Sequence, residues 1–174
     1  MILGIGTDLV DERRIQRSIE RFGDRFLDRI FTDAERAEAS TRGSASLYFA
    51  KRFAAKEAVY KALSKSGVAG LGWREAEVIN DRSGAPHIRL TGQCKTALES
   101  LTPEGYKPTV DISLSDEPPY ALAYVVISAG RDIEGLEQQR PEHQGQRTGD
   151  DNGAERLETL FFSLAAHTCR RAPA

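Results

Sequence analysis

Arg52-Phe53-Ala54-Ala55-Lys56-Glu57-Ala58-Val59-Tyr60-Lys61-Ala62 is the stretch that decides how this chain folds. Read as a helix, it stacks Ala50, Phe53, Ala54, Glu57 and Lys61 on one stripe at spacings of three and four. Glu57 therefore points with the apolar face, where a carboxylate is costly unless it is paired or bound to a metal. Upstream, Ile2-Leu3-Gly4-Ile5-Gly6-Thr7-Asp8 reads as a strand. Its alternation puts Ile2, Gly4, Gly6 and Asp8 on one face, with the two glycines clearing room for something bulky against the backbone. Two carboxylates from different elements suggest a hard-cation site with oxygen ligands of the kind magnesium takes. A plainer reading uses the same residues: a turn-forming aspartate at a strand end and a Glu57–Lys61 helical ion pair. Periodicity leaves both open.

Working outward, Asp11 reads as the N-cap of a helix to about Phe22, stopped by Gly23, with Asp24 opening a second short helix. Thr32 caps a third, and Glu35 completes a capping box. Ser44 begins the long central helix, which should end near Gly67. Residues 73–80 and 87–90 read as strands around the turn Asp81-Arg82-Ser83-Gly84-Ala85-Pro86, and 93–101 as a short helix. Strands over 110–115 and 120–128 follow, joined by Asp116-Glu117-Pro118-Pro119. The pattern is α+β, with too few alternating units for a doubly wound parallel sheet.

The chain has 174 residues, 40% hydrophobic and 29% charged, which fits one globular domain with a real core. No run approaches the roughly 18 apolar residues of a membrane span, and no signal-peptide pattern opens the sequence. Cys94 and Cys169 lie far apart and form no disulfide framework or zinc motif, so a cytoplasmic setting is expected. The net charge is −2, and residues 131–174 carry six basic and eight acidic side chains. Residues 1–130 are thus neutral, which argues against a general nucleic-acid binder. From Arg131 the composition predicts a mostly disordered tail through Gly153. Leu157, Leu160, Phe161 and Leu164 then recur at the spacing of a short amphipathic helix.

The words along residues 1 to 128 resemble the holo-acyl-carrier-protein synthase family, the small bacterial 4'-phosphopantetheinyl transferases. They are Gly4-Ile5-Gly6-Thr7-Asp8, Phe31-Thr32-Asp33-Ala34-Glu35, the Arg52–Ala62 run, Ser113-Leu114-Ser115-Asp116 and Tyr120-Ala121-Leu122-Ala123, all in order. The resemblance implies an α+β phosphopantetheinyl transferase fold over residues 1–130, with an antiparallel-rich sheet, a long central helix and a homotrimeric assembly. It implies transfer of 4'-phosphopantetheine from coenzyme A to a serine of apo-acyl-carrier protein, as in fatty acid biosynthesis, with release of 3',5'-ADP. On the same basis Asp8 and Glu57 hold Mg²⁺, Lys61 joins them as a catalytic and phosphate-binding cation, and Arg52 contributes to the coenzyme A site; Lys65, where the family has a glycine-bearing segment, brings a compensating charge to that site.

Arg14, Arg17, Arg21, Arg25 and Arg29 recur at spacings of 3, 4, 4 and 4. Such a ridge suits an acidic carrier protein, which assigns docking to Arg14 and Arg21; a solvated, salt-bridged face fits the same spacing. Asp116 departs from the pattern, since the family has histidine there. An aspartate would repel pyrophosphate unless it turns away or joins the metal shell. Two other classes stay open: a catalytically weak carrier-protein binding module, and another magnesium-dependent phosphoryl-transfer enzyme. The second lacks a P-loop.

Overall fold

The structure is a computed structural model and describes residues 1–131. The expected disordered tail and its amphipathic helix at 131–174 therefore fall, apart from Arg131, outside the described residues. Strand β1 (Ile2–Asp11) leads into helices α1 (Glu12–Phe22), α2 (Asp24–Ile30) and α3 (Asp33–Ala39), then the long α4 (Ala45–Leu63). The hairpin of β2 (Ala76–Asn80) and β3 (Pro86–Leu90) follows, then α5 (Gly92–Leu101), β4 (Tyr106–Glu117) and β5 (Tyr120–Arg131).

The main sheet has the order β1-β5-β4 and every pairing is antiparallel, as the α+β reading requires. The strands of the β4–β5 hairpin run longer than their hydrophobic cores predict. Pairing continues from Glu117↔Tyr120 at the turn to Tyr106↔Arg131 at the far end, past the last apolar positions. The helix boundaries follow their caps. Asp11 accepts from Arg13 N, Ser44 from Leu47 N, and Thr32 and Glu35 form the reciprocal capping box. Gly23 and Gly67, at φ 53° and 73°, take the left-handed turns that end α1 and the 3₁₀ turn after α4.

Helix α4 lies on the sheet with almost no gap. Ala50, Ala54, Ala55, Ala58 and Ala62 are buried, as are Ala121 and Ala123 of β5. A Cβ at Gly6 would stand 1.8 Å from the Ala58 carbonyl oxygen, and one at Gly4 would stand 2.1 Å from that of Ala62. The bulky object that the glycines admit is thus the backbone of α4. This contact brings Asp8, which lies within β1 and not at its end, beneath the helix that carries Glu57.

Candidate active site

Asp8 projects from the helix-facing side of β1, and its side chain is 18% exposed. Lys61, on α4, donates from Nζ to Asp8 Oδ1 at 2.8 Å and to the Thr7 carbonyl at 2.7 Å. Lys61 therefore reaches across to the strand rather than back along its helix to Glu57. Among the described residues no donor or cation is bonded to the Glu57 carboxylate. Its pKa is raised above the ordinary carboxylate value, first by burial and then by the Asp8 charge, with Lys61 opposing. Two carboxylates repel across a cleft, and only one of them is bonded to a cation, which leaves Glu57 open to a ligand.

That cleft, of ≈ 250 Å³, is lined by Asp8, Glu57, Phe53 and Phe26 together with Arg14 and Ser18 of α1. The sequence reading placed Arg14 on a partner surface; the structure puts it at the wall of the carboxylate cleft as well. Arg21 stands two turns on, exposed, with its guanidinium 4.9 Å from the Phe22 ring centre.

Arg52 is elsewhere. It is buried, its guanidinium 4.6 Å from the Tyr48 ring centre and hydrogen-bonded to Asn80 Oδ1. Its Nε is buried with no hydrogen-bond partner among the described residues. It lines a second cleft, of ≈ 360 Å³, with Arg42, Lys51, Asn80, Pro86 and Asp116. At 100° per residue Arg52 and Glu57 stand about 140° apart around α4, so the two clefts open on different sides of the helix. Lys65 sits exposed on the 3₁₀ turn Ser64–Ser66 and lines neither cleft. Asp116 is away from Asp8 and Glu57, and pairs with Lys51 at 2.9 Å.

Sequence reasoning missed one supporting feature. Lys56, next to Glu57, is fully buried and donates to the Trp73 and Ala76 carbonyls at 3.0 and 2.8 Å. It also pairs with Glu35 Oε2 at 2.9 Å. Glu35 in turn accepts from Thr32 N and Val78 N, so it ties α3, α4 and β2 together beyond its capping role. The signal available was the adjacency itself: on a helix that buries nearly every side, the neighbour of an inward glutamate also points into the protein.

Residues 4–125 match the model of the 4'-phosphopantetheinyl transferase superfamily. The chain belongs to that superfamily. Its similarity to the holo-[acyl-carrier-protein] synthase of Xanthobacter autotrophicus is 54% identity over 129 residues, 74% of this chain and 96% of the relative. The crystal structure of the Neisseria meningitidis holo-[acyl-carrier-protein] synthase superposes with a TM-score of 0.61 at 37% identity, covering 74% of this chain and 99% of the other. The Helicobacter pylori synthase in complex with coenzyme A gives a TM-score of 0.58 at 28% identity, over 71% of this chain and 99% of that one. These phosphopantetheinyl transferase matches extend over the same β1–β5 region that carries both clefts, and they make the chain a transferase enzyme with the fold that the resemblance implied.

Proposed function

We propose that this chain transfers 4'-phosphopantetheine from coenzyme A to the serine hydroxyl of an acidic apo-acyl-carrier protein, using Mg²⁺ and releasing 3',5'-ADP. The observation that carries the reading is the convergence of Asp8, Glu57 and Lys61 where β1 meets α4, beside Arg14. Holo-[acyl-carrier-protein] synthases at about half identity support the acceptor, and a synthase 28% identical, solved with coenzyme A, supports the donor.

The donor set suits magnesium. Among the described residues no group of three or more His, Cys, Asp or Glu side chains could cage an ion. Magnesium is typically held by one or two carboxylates plus substrate phosphates, and Glu57 has a carboxylate with no bonded cation. When bound by Asp8 and Glu57, the ion supplies charge neutralisation at the pyrophosphate. Lys61 adds a mobile ammonium to the same oxygens, and its hold on Asp8 keeps it in place before the donor arrives. Phe26 and Phe53 give the cleft an apolar wall that limits water, and Arg14 offers a cation toward an acidic acceptor. The serine oxygen bonds to the phosphorus bearing pantetheine, the bond from that phosphorus to the bridging oxygen breaks, and 3',5'-ADP leaves. Positioning and charge neutralisation dominate such a transfer.

Arg52, beyond reach of that chemistry on another side of α4, suits the 3'-phosphate at the nucleotide end of the donor. A donor held at both ends is best served by clefts on two protomers, in line with a homotrimer. The open face of the sheet supports the same assembly: Ile5, Leu9, Leu122 and Tyr124 are 40–60% exposed side by side on β1 and β5. Among the described residues no helix is long and apolar enough to cross a membrane, and Cys94 is a buried free thiol. Both suit a cytoplasmic enzyme.

The deciding experiment is intact-mass measurement of an acidic apo-carrier protein incubated with this chain, coenzyme A and Mg²⁺. Gain of one phosphopantetheine group, lost on chelation of the metal, is the expected result. Carrier binding without mass gain would instead identify a binding module.

A further inference from the structure

The second cleft contains a charge that works against its own design. Three of its lining residues, Arg42, Lys51 and Arg52, are cations, and Asp116 is the only acid in its lining. Two of the cations are already fixed: Arg42 pairs with Glu38, and Arg52 is held by Asn80 and packed on Tyr48. Asn80 is itself braced by donating to the Gly84 carbonyl at 2.7 Å. Lys51 differs. Asp116 is its ion-pair partner, at 2.9 Å across 65 residues of sequence, and both side chains are about 30% exposed. Lys51 is thus the cation of the cleft whose charge is held by the cleft's own acid.

We propose that Asp116 is a specificity-determining residue for the donor, an internal anion that occupies Lys51 and that the donor's phosphate must displace. The inference rests on the coenzyme A reading given above. A phosphate monoester carries up to two negative charges, so it outcompetes the carboxylate for Lys51, while the Arg52 fork supplies planar recognition. The exchange costs affinity for every donor that brings a phosphate to this cleft. It costs nothing for a donor that does not.

Steady-state kinetics of the full chain with an acidic apo-carrier protein test the idea, with coenzyme A and dephospho-coenzyme A as the two donors. Asp116→Asn, which keeps shape and removes charge, should lower KM for coenzyme A about two- to fivefold, the range of one partly exposed ion pair. The gain should shrink in high salt, kcat should hold, and KM for dephospho-coenzyme A should stay put. Lys51→Met should raise KM for coenzyme A, and adding Asp116→Asn to it should recover nothing. An unchanged or higher KM for coenzyme A in Asp116→Asn would overturn the proposal, as would an equal fall for both donors. Absence of transfer by the wild-type chain would strike the underlying reading instead. Calorimetric titration of 3',5'-ADP into wild type and Asp116→Asn then judges Asp116 alone: tighter binding by the variant supports its role, and equal binding refutes it.

Discussion

Lys56 and Glu57 are neighbours on one helix, yet they meet opposite fates. Lys56 is buried with its three donors spent on two carbonyls and Glu35, and Glu35 has its own oxygens filled by Thr32 and Val78. Burial alone pushes the Lys56 ammonium toward its neutral form, and the Glu35 carboxylate opposes that shift. Glu57 stands over an accessible cleft, with another carboxylate as its electrostatic neighbour and no cation of its own. A saturated buried pair reports on architecture, because nothing remains with which to bind. An unsatisfied carboxylate beside a second one reports on function, because the fold tolerates a repulsion that only a ligand relieves.

Breaking the saturated side should have the largest effect. Lys56→Ala leaves Glu35 charged and buried, and should cost about 3–5 kcal/mol in denaturant unfolding. If the loss is under about 1 kcal/mol, the pair is not the clamp described here. On the open side, Asp8→Asn and Glu57→Gln should each lower the transfer rate at least about 100-fold at limiting Mg²⁺, while circular dichroism stays that of the native fold. Full activity in either would refute the metal assignment.

The arginines beside the cleft should have a smaller influence. Arg14→Glu with Arg21→Glu should raise KM for the carrier protein about tenfold in low salt, converging toward wild type as salt rises. Because Arg14 also lines the carboxylate cleft, a matching fall in kcat would move it from docking to chemistry.

The smallest effect follows from the raised Glu57 pKa. An acid whose folded pKa lies above its ordinary value of 4.5 opposes folding once ionised. That penalty is absent below the ordinary value, grows as pH rises toward the folded pKa, and is complete above it. Glu57→Gln should therefore raise the metal-free melting temperature slightly at neutral pH, with no gain near pH 4. Adding Mg²⁺ should stabilise wild type and not the variant.

Much of this was readable from the chain. Caps at Asp11, Thr32 and Ser44 placed three helices, because capping is a local contest for orphan amides that neighbouring residues decide. Asp8 and Glu57 were legible because period two and period 3.6 each put a carboxylate on an inward face. The glycines of β1 were legible as clearance but not as clearance for α4, since a glycine announces space without naming its occupant. Arg52 was assigned to the donor without its separate cleft, which requires the β2–β3 hairpin to fold over the start of α4. The Lys51–Asp116 and Lys56–Glu35 pairs join residues 65 and 21 positions apart, and no local rule connects them.

The contact of Gly4 and Gly6 with α4 carries a last consequence. The separation between the two carboxylate-bearing elements is set by main chain resting on main chain, at the Ala58 and Ala62 carbonyls, one and five residues beyond Glu57. No rotamer change can adjust such a gauge, so the spacing of the strand and the helix is cut into the backbone itself. Evolution can exchange the residues around the two clefts while the calibration stays untouched; a single methyl group at position 6 would throw it out.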